Sequence, residues 1–267
     1  MENEFNNYLD LNQKSWNNKV EVHLDSDFYD MAGFAKGDSS LKEIELALLG
    51  DIKGKKILHL QCHFGQDSLS LARLGAEVTG IDLSDKAIEK AKEISSAMHI
   101  SCRFICTDVY SVPKVLKEQF DIVYTSYGTI GWLPDLDKWA AVIHQMLKPD
   151  GQFIFVEFHP VVWMFDDDFK EIAYSYFNKG EIIETESGTY ANRDADIQQK
   201  YVCWNHSLSE VFQSLIKQKI EILDFKEYAF SPYPCFKNTQ ELEKGRFTIK
   251  SLNHEIPMAY SLIGLKK

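Results

Sequence analysis

With 267 residues, 45% of them hydrophobic, the chain is long for one domain and short for two, so a single core carrying an insertion is expected. A formal charge of −11, from 40 Asp and Glu against 29 Lys and Arg, counts against a nucleic-acid partner and favours a small molecule. No apolar run reaches the ~18 residues of a membrane span. The opening MENEFNNYLD is acidic and polar, unlike a secretory leader. Five cysteines, at 62, 102, 106, 203 and 235, show no C-x-x-C spacing, so reduced structural thiols in a cytoplasmic chain are expected, with no metal site.

Residues 12–34 carry Trp16, Val20, Val22, His23, Phe28 and Tyr29, and LKEIELALL at 41–49 reads as an amphipathic helix. The stretch 56–84, KILHLQCHFGQDSLSLARLGAEVTGIDLS, then reads as strand, loop, helix and strand. Ile57, Leu58 and Leu60 form the first strand, Gly65 sits in the loop, and Leu69, Leu71, Ala72 and Leu74 give a helical stripe that Gly75 stops. Val78, Gly80 and Ile81 lead to Asp82. Such a βαβ unit is a nucleotide cradle: the helix amino terminus offers free N–H groups, and the terminal acid accepts from two ribose hydroxyls. The dinucleotide pattern G-x-G-x-x-G is reduced here to Gln61, His63 and Gly65, so the close approach to a pyrophosphate is missing. A phosphate-free adenosine cofactor, S-adenosylmethionine, fits that loop. The missing glycines count against an NAD(P)-linked oxidoreductase.

A third strand, Phe104-Ile105-Cys106, ends at Thr107-Asp108-Val109, where an acid can accept from an adenine amino group. Phe120-Asp121-Ile122-Val123-Tyr124 is a fourth strand, opening into Thr125-Ser126-Tyr127-Gly128. Leu147-Lys148-Pro149-Asp150-Gly151 ends a helix in a turn, and residues 153–158 form a fifth strand. At GIDLS, TDV, FDIVYTS and LKPDGQFIFVEF the chain resembles the class I S-adenosylmethionine-dependent methyltransferases, over residues 55–159 and again from 206 to 267. The loop LHLQCHFGQD resembles that of a bacterial subgroup of uncharacterised methyltransferases. It departs from the family's D-x-G-C-G-x-G, with His59, Gln61, Cys62, His63 and Gly65 at those positions.

The resemblance implies an α/β Rossmann-like seven-stranded sheet with helices on both faces. An amino-terminal helical lid (1–50) precedes the methyltransferase domain (51–267), which carries an antiparallel β cap inserted at about 160–205. It assigns ribose binding to Asp82, with Leu83 beside it, and adenine to Asp108 and Val109. The methionine end falls to Gln61, Cys62, His63, Gly65 and Ser126. Trp16, Tyr29, Tyr127, Trp132 and Tyr233 are expected in the acceptor pocket. For Trp16 and Tyr29 the competing reading is anchoring of the lid; for Trp132, stapling of the next helix.

The insertion is rich in aromatics, and Gly180 and Gly188 suggest hairpins. Asp166-Asp167-Asp168 reads as a solvated turn. Ser207 with Glu210 forms a capping box for the helix at 208–217, followed by a sixth strand at 220–225 and a seventh at 256–265. His159, directly after the fifth strand, is the candidate general base; His63 shapes the methionine pocket and His206 helps start its helix. The activity implied is in-line methyl transfer to a small-molecule acceptor, releasing S-adenosylhomocysteine. The rival from another class is a non-catalytic sensor or scaffold that binds the cofactor. Neither the acceptor nor the oligomeric state is written in these residues.

Overall fold

A computed structural model describes residues 7–252 and 255–267; the six-residue start of the expected lid and Asn253-His254 lie outside the described residues. Three helices come first: α1 (Tyr8–Leu24), α2 (Met31–Lys36) and α3 (Glu43–Leu49). Then β1 (Lys56–Leu60), α4 (Gln66–Arg73), β2 (Glu77–Asp82), α5 (Asp85–Ala97) and β3 (Arg103–Cys106) form two successive parallel βαβ steps of the sheet. α6 (Val112–Val115), β4 (Phe120–Ser126), α7 (Leu136–Met146) and β5 (Leu147–Phe158) complete the parallel part. A hairpin of β6 (Ile182–Ser187) and β7 (Gln198–Cys203) follows, then α8 (Leu208–Lys217) and β8 (Ile220–Tyr228). A second hairpin, β9 (Thr239–Glu243) and β10 (Arg246–Ile249), precedes β11 (Ala259–Lys266).

The seven-stranded sheet runs β3-β2-β1-β4-β5-β11-β8, with β11 antiparallel to both neighbours and the first five strands parallel. Both faces are covered, which is why these strands read as near-continuous apolar runs. Leu58, Leu60, Val123, Phe153 and Phe155 pack with α7 and α8 residues such as Trp139 and Leu215. The alternate residues Ile57, Val78, Ile122 and Ile154 pack with Leu49 of α3 and Leu71 of α4. Because the five strands are parallel, their carboxyl ends share one edge, and loops from five different strands meet there. That edge holds the site.

Two boundaries differ from expectation. The LKPDG turn lies inside β5 as a bulge: pairing jumps from Phe120↔Leu147 to Ile122↔Gln152, and Asp150 takes a left-handed φ of 58°. The last strand starts at Ala259, because Ile256 and Met258 are drawn into an apolar cluster with Phe158, Val162 and Phe236. The β9–β10 hairpin has no counterpart in the sequence reading.

Candidate active site

The loop after β1 keeps a glycine-like backbone without the glycines. Gln61 and His63 both sit in the left-handed region, at φ 56° and 50°, followed by Gly65 at 79°. Each non-glycine residue there costs roughly 1–2 kcal/mol, so the fold holds this shape against local preference. Cys62 N–H donates to Ile81 O at 2.8 Å and Gly65 N–H to Cys62 O at 2.9 Å, locking the loop to β2. At Gly65 a Cβ would fall 2.6 Å from the Phe104 ring, so this glycine is required by space as well as by φ. It opens α4, whose free N–H groups face the cleft.

Asp82 ends β2 beneath this loop. Its Oδ2 accepts the His63 N–H and its Oδ1 the Ser84 N–H, both at 2.8 Å. Burial pushes its carboxyl up to about 6, against the pull of those N–H donors. Each carboxylate oxygen keeps a second lone pair for ribose hydroxyls. Leu83 follows it, and Asp108 caps a short 3-10 turn by accepting the Ser111 N–H at 3.0 Å, with Val109 buried beside it. At the end of β4, Ser126 Oγ donates to Asp67 Oδ2 at 3.4 Å.

The facing wall comes from remote segments. α1 is stapled across the cleft at two places. Asn12 exchanges two hydrogen bonds with the backbone of Val202 on β7, at 2.8 and 2.9 Å. On an adjacent face, Gln13 donates to Leu83 O and Asn17 Nδ2 to Asp85 Oδ1. Further along α1, Lys19 is buried, paired with Glu186 of β6 at 3.1 Å, its ammonium 5.0 to 5.6 Å from the rings of Trp16, Trp132 and Tyr201. Trp16 packs edge-on against His63 and against Trp132, both at 5.2 Å. His63 Nε2 meets His23 Nδ1 at 2.9 Å; burial lowers these imidazoles to about 3 and about 2, so both are neutral. Tyr29 stacks on His23 and bonds the hydroxyl of Tyr190. Further along, Tyr127 packs edge-on against Tyr233 at 5.1 Å.

These two walls enclose one cavity of about 910 Å³. Gln61, Cys62, His63, Gly65, Asp82, Leu83, Asp108, Val109 and Ser126 all line it, and so do Trp16, Tyr29, Tyr127, Trp132 and Tyr233. His159 does not. It is buried, its Nε2 lies 2.8 Å from Glu227 on β8, and its Nδ1 accepts the Val161 N–H. Placement directly after β5 was correct in sequence, but the side chain turns away from the cavity, which corrects its assignment as general base. His206 Nε2 bonds Leu133 O, and Ser207 caps α8 by accepting the Glu210 N–H. Asp166 accepts backbone N–H groups in its own turn, while Asp167 and Asp168 pair with Lys237 and Lys170. All five cysteines are free thiols.

Four residues that matter here were given no role in the sequence reading. Glu157, near the end of β5, is fully buried and takes N–H groups of Gly128, Thr129, Ile130 and Phe158 together with the Thr129 hydroxyl. It shapes the loop that carries Tyr127 to Trp132. A lone carboxylate in the apolar run FIFVEF was its signal. Lys19 and His23 lie on the buried stripe of α1 with Asn12 and Ser15, a polar stripe that a search for apolar periodicity passes over. Glu45, buried on α3, accepts the Tyr127 hydroxyl at 2.8 Å.

The cradle fits an adenosine cofactor with a compact polar tail. The glycine-shaped backbone at 61–65, the acid under it and the buried, unpartnered Gln61 Oε1 and His63 Nδ1 (among the described residues) leave polar groups for a ligand to satisfy. Residues 57–151 match a family model described as a methyltransferase domain. An uncharacterised protein of Haemophilus influenzae is 25% identical over 91% of this chain and 96% of its own length. An uncharacterised methyltransferase of Synechocystis is 32% identical over 48% of this chain, which spans 59% of that relative. Among solved structures, geranyl diphosphate C-methyltransferase from Streptomyces coelicolor, in complex with Mg2+, geranyl diphosphate and S-adenosyl-L-homocysteine, superposes with a TM-score of 0.61. It is 15% identical, over 97% of this chain and 98% of that one, which is a likeness of fold. Residues 57–151 therefore match a methyltransferase domain, carried on a sheet with the strand order of the class I fold.

Proposed function

We propose that the chain as a whole transfers a methyl group from S-adenosylmethionine to a small-molecule acceptor inside this cavity. One observation carries the reading: cofactor-side and acceptor-side residues, drawn from segments up to two hundred positions apart, line a single cavity of about 910 Å³. That is near the upper end of small-molecule pockets, with room for two ligands end to end. A polymer would need an open groove, whereas α1 and the β6–β7 hairpin roof this space. Residues 1–50 act in this reading as a lid, and the insertion at 160–205 as an acceptor-side cap. The loop LHLQCHFGQD marks the bacterial subgroup, and a cytoplasmic site of action agrees with five free thiols.

When bound, the cofactor supplies a methyl group already activated on a sulfonium. The chain's own work is to hold and exclude. Asp82 accepts ribose hydroxyls, Asp108 and Val109 take the adenine, and the 61–65 backbone with Ser126 takes the methionine end. Trp16, Trp132 and Tyr29 keep water out. Holding two reactants in line accounts for up to roughly 7–11 kcal/mol of barrier lowering.

Isothermal titration with S-adenosylmethionine and S-adenosylhomocysteine tests this directly. Micromolar binding that Asp82→Ala weakens at least a hundredfold is expected. A folded wild-type chain that binds neither ligand sinks the reading. Binding without methyl transfer to any acceptor supports the sensor instead, the alternative favoured by the side chains of Gln61 and His63 where glycines are usual.

A further inference from the structure

Beyond the cofactor wall the cavity is lined by Tyr127, Tyr233 and Asp67, with the buried Glu45 behind Tyr127. Tyr127, the first residue after β4, holds a left-handed φ of 44°, a strained conformation for a tyrosine. Tyr127 lines the cavity and its hydroxyl donates to Glu45 Oε2 at 2.8 Å; Glu45 is fully buried behind the lining residues, and its Oε1 accepts the Lys42 N–H at 3.0 Å. Asp67, on the first turn of α4, lines the same wall. Among the described residues neither carboxylate has a cationic side chain in salt-bridge contact; Lys42 Nζ instead stands over the Tyr233 ring at 4.9 Å. Tyr233 lines the same cavity.

A buried carboxylate without a counter-charge is costly unless a cation or a proton visits it. Ten of the fourteen charged side chains around the cavity are acidic, so the visitor is a cation rather than an anion. Resting on the methyltransferase reading, we infer that the wall of Tyr127 and Asp67, backed by the buried Glu45, seats an amino group of the acceptor, and that the proton this nitrogen must lose passes through Tyr127 to Glu45. The amine arrives as an ammonium. One N–H proton passes to the Tyr127 oxygen as the Tyr127 proton passes to Glu45, so Glu45 ends neutral. The nitrogen keeps the lone pair that methylation consumes. Burial, with Asp67 adding to it, raises Glu45 to about 7, which poises it to exchange a proton near neutrality. The other titratable groups facing it are the phenols of Tyr124, Tyr127 and Tyr233, all held well above their usual value by burial and so neutral. Phe28, stacked on Tyr233 at 5.5 Å, and Phe158 beside Tyr127 offer an apolar body next to the amine.

The full chain is titrated at pH 7 with 2-phenylethylamine and n-hexylamine, with neutral 2-phenylethanol and anionic 3-phenylpropionate as controls. Titrations run with and without S-adenosylhomocysteine, in two buffers of different ionisation enthalpy. At least one amine is expected to bind tenfold or more tighter than both controls, releasing part of a proton as Glu45 ionises beside it. Glu45→Gln is expected to abolish the proton release and weaken the amine at least tenfold, with S-adenosylhomocysteine affinity held within twofold. Should that variant not fold, Tyr127→Phe keeps the ring packing and is expected to weaken the amine likewise. Probes that bind alike, amines that do not bind, or proton release unchanged in the variant overturn the inference. Amine binding as expected without any S-adenosylhomocysteine binding would instead remove the methyltransferase reading.

Discussion

The two walls of the cavity are built on opposite principles. The cofactor wall is made of backbone: three residues at positive φ, helix N–H groups, and an acid whose oxygens are held by amides next to it in the chain or one strand away. The facing wall is made of side chains, with Lys19, Trp16, Trp132 and Tyr201 from three separate segments interlocking around one ammonium. A backbone wall presents the same groups whatever the sequence does nearby, which suits a ligand common to many enzymes. A side-chain wall is rewritten by single substitutions, which suits an acceptor particular to one.

The contrast is broken most directly at Gly65. Gly65→Val places a branched side chain at φ 79° and a Cβ 2.6 Å from Phe104. Left-handed strain and overpacking together should cost about 3 kcal/mol. Chemical denaturation would read it, with loss of S-adenosylhomocysteine binding alongside; a variant as stable as wild type would show the backbone wall to be plastic.

Lys19→Met attacks the other wall. It leaves Glu186 without its partner inside the aromatic cage, and since Glu186 is about one-third exposed the loss should be about 2 kcal/mol rather than the larger cost of a fully buried orphan. Faster amide exchange across residues 182–203, with the cofactor wall unchanged, is the expected pattern.

Asp82 sharpens the comparison through pH. Its folded pKa is raised from 3.8 to about 6, and only the carboxylate can accept from both ribose hydroxyls. Cofactor affinity should therefore be level above neutrality and fall as pH drops through 6, by about tenfold per unit below it. Titrations between pH 8 and pH 5 would show this, and a flat profile would put the ribose elsewhere.

The smallest effect belongs to His159. His159→Gln should cost about 1 kcal/mol, the worth of its bond to Glu227, and leave S-adenosylhomocysteine affinity within twofold. A large fall in affinity would return the residue to the site.

Much of the fold was legible because parallel strands announce themselves as apolar runs separated by helices, and β1 to β5 appeared in order. The candidate cofactor positions were legible for the same reason: each lies at or just after a strand end, which sequence spacing locates. The β9–β10 hairpin was not, since short exposed strands carry little apolar signal. Nor was Glu45, whose neighbour Tyr127 lies 82 positions away and whose helix looked complete without it. His159 shows the limit at closest range. Spacing placed its backbone at the strand end, but only packing against β8 decided which way the ring would point.

Periodicity and local βα geometry made the parallel strands and the acids at their carboxyl ends readable in one dimension, while the seven-stranded order came from the resemblance to class I methyltransferases. Tertiary packing alone set the roof, where Asn12 meets Val202 across 190 residues, and the buried Glu45 behind Tyr127. Such contacts are set by the docking of whole elements, and polar side chains buried by docking look, in one dimension, like surface.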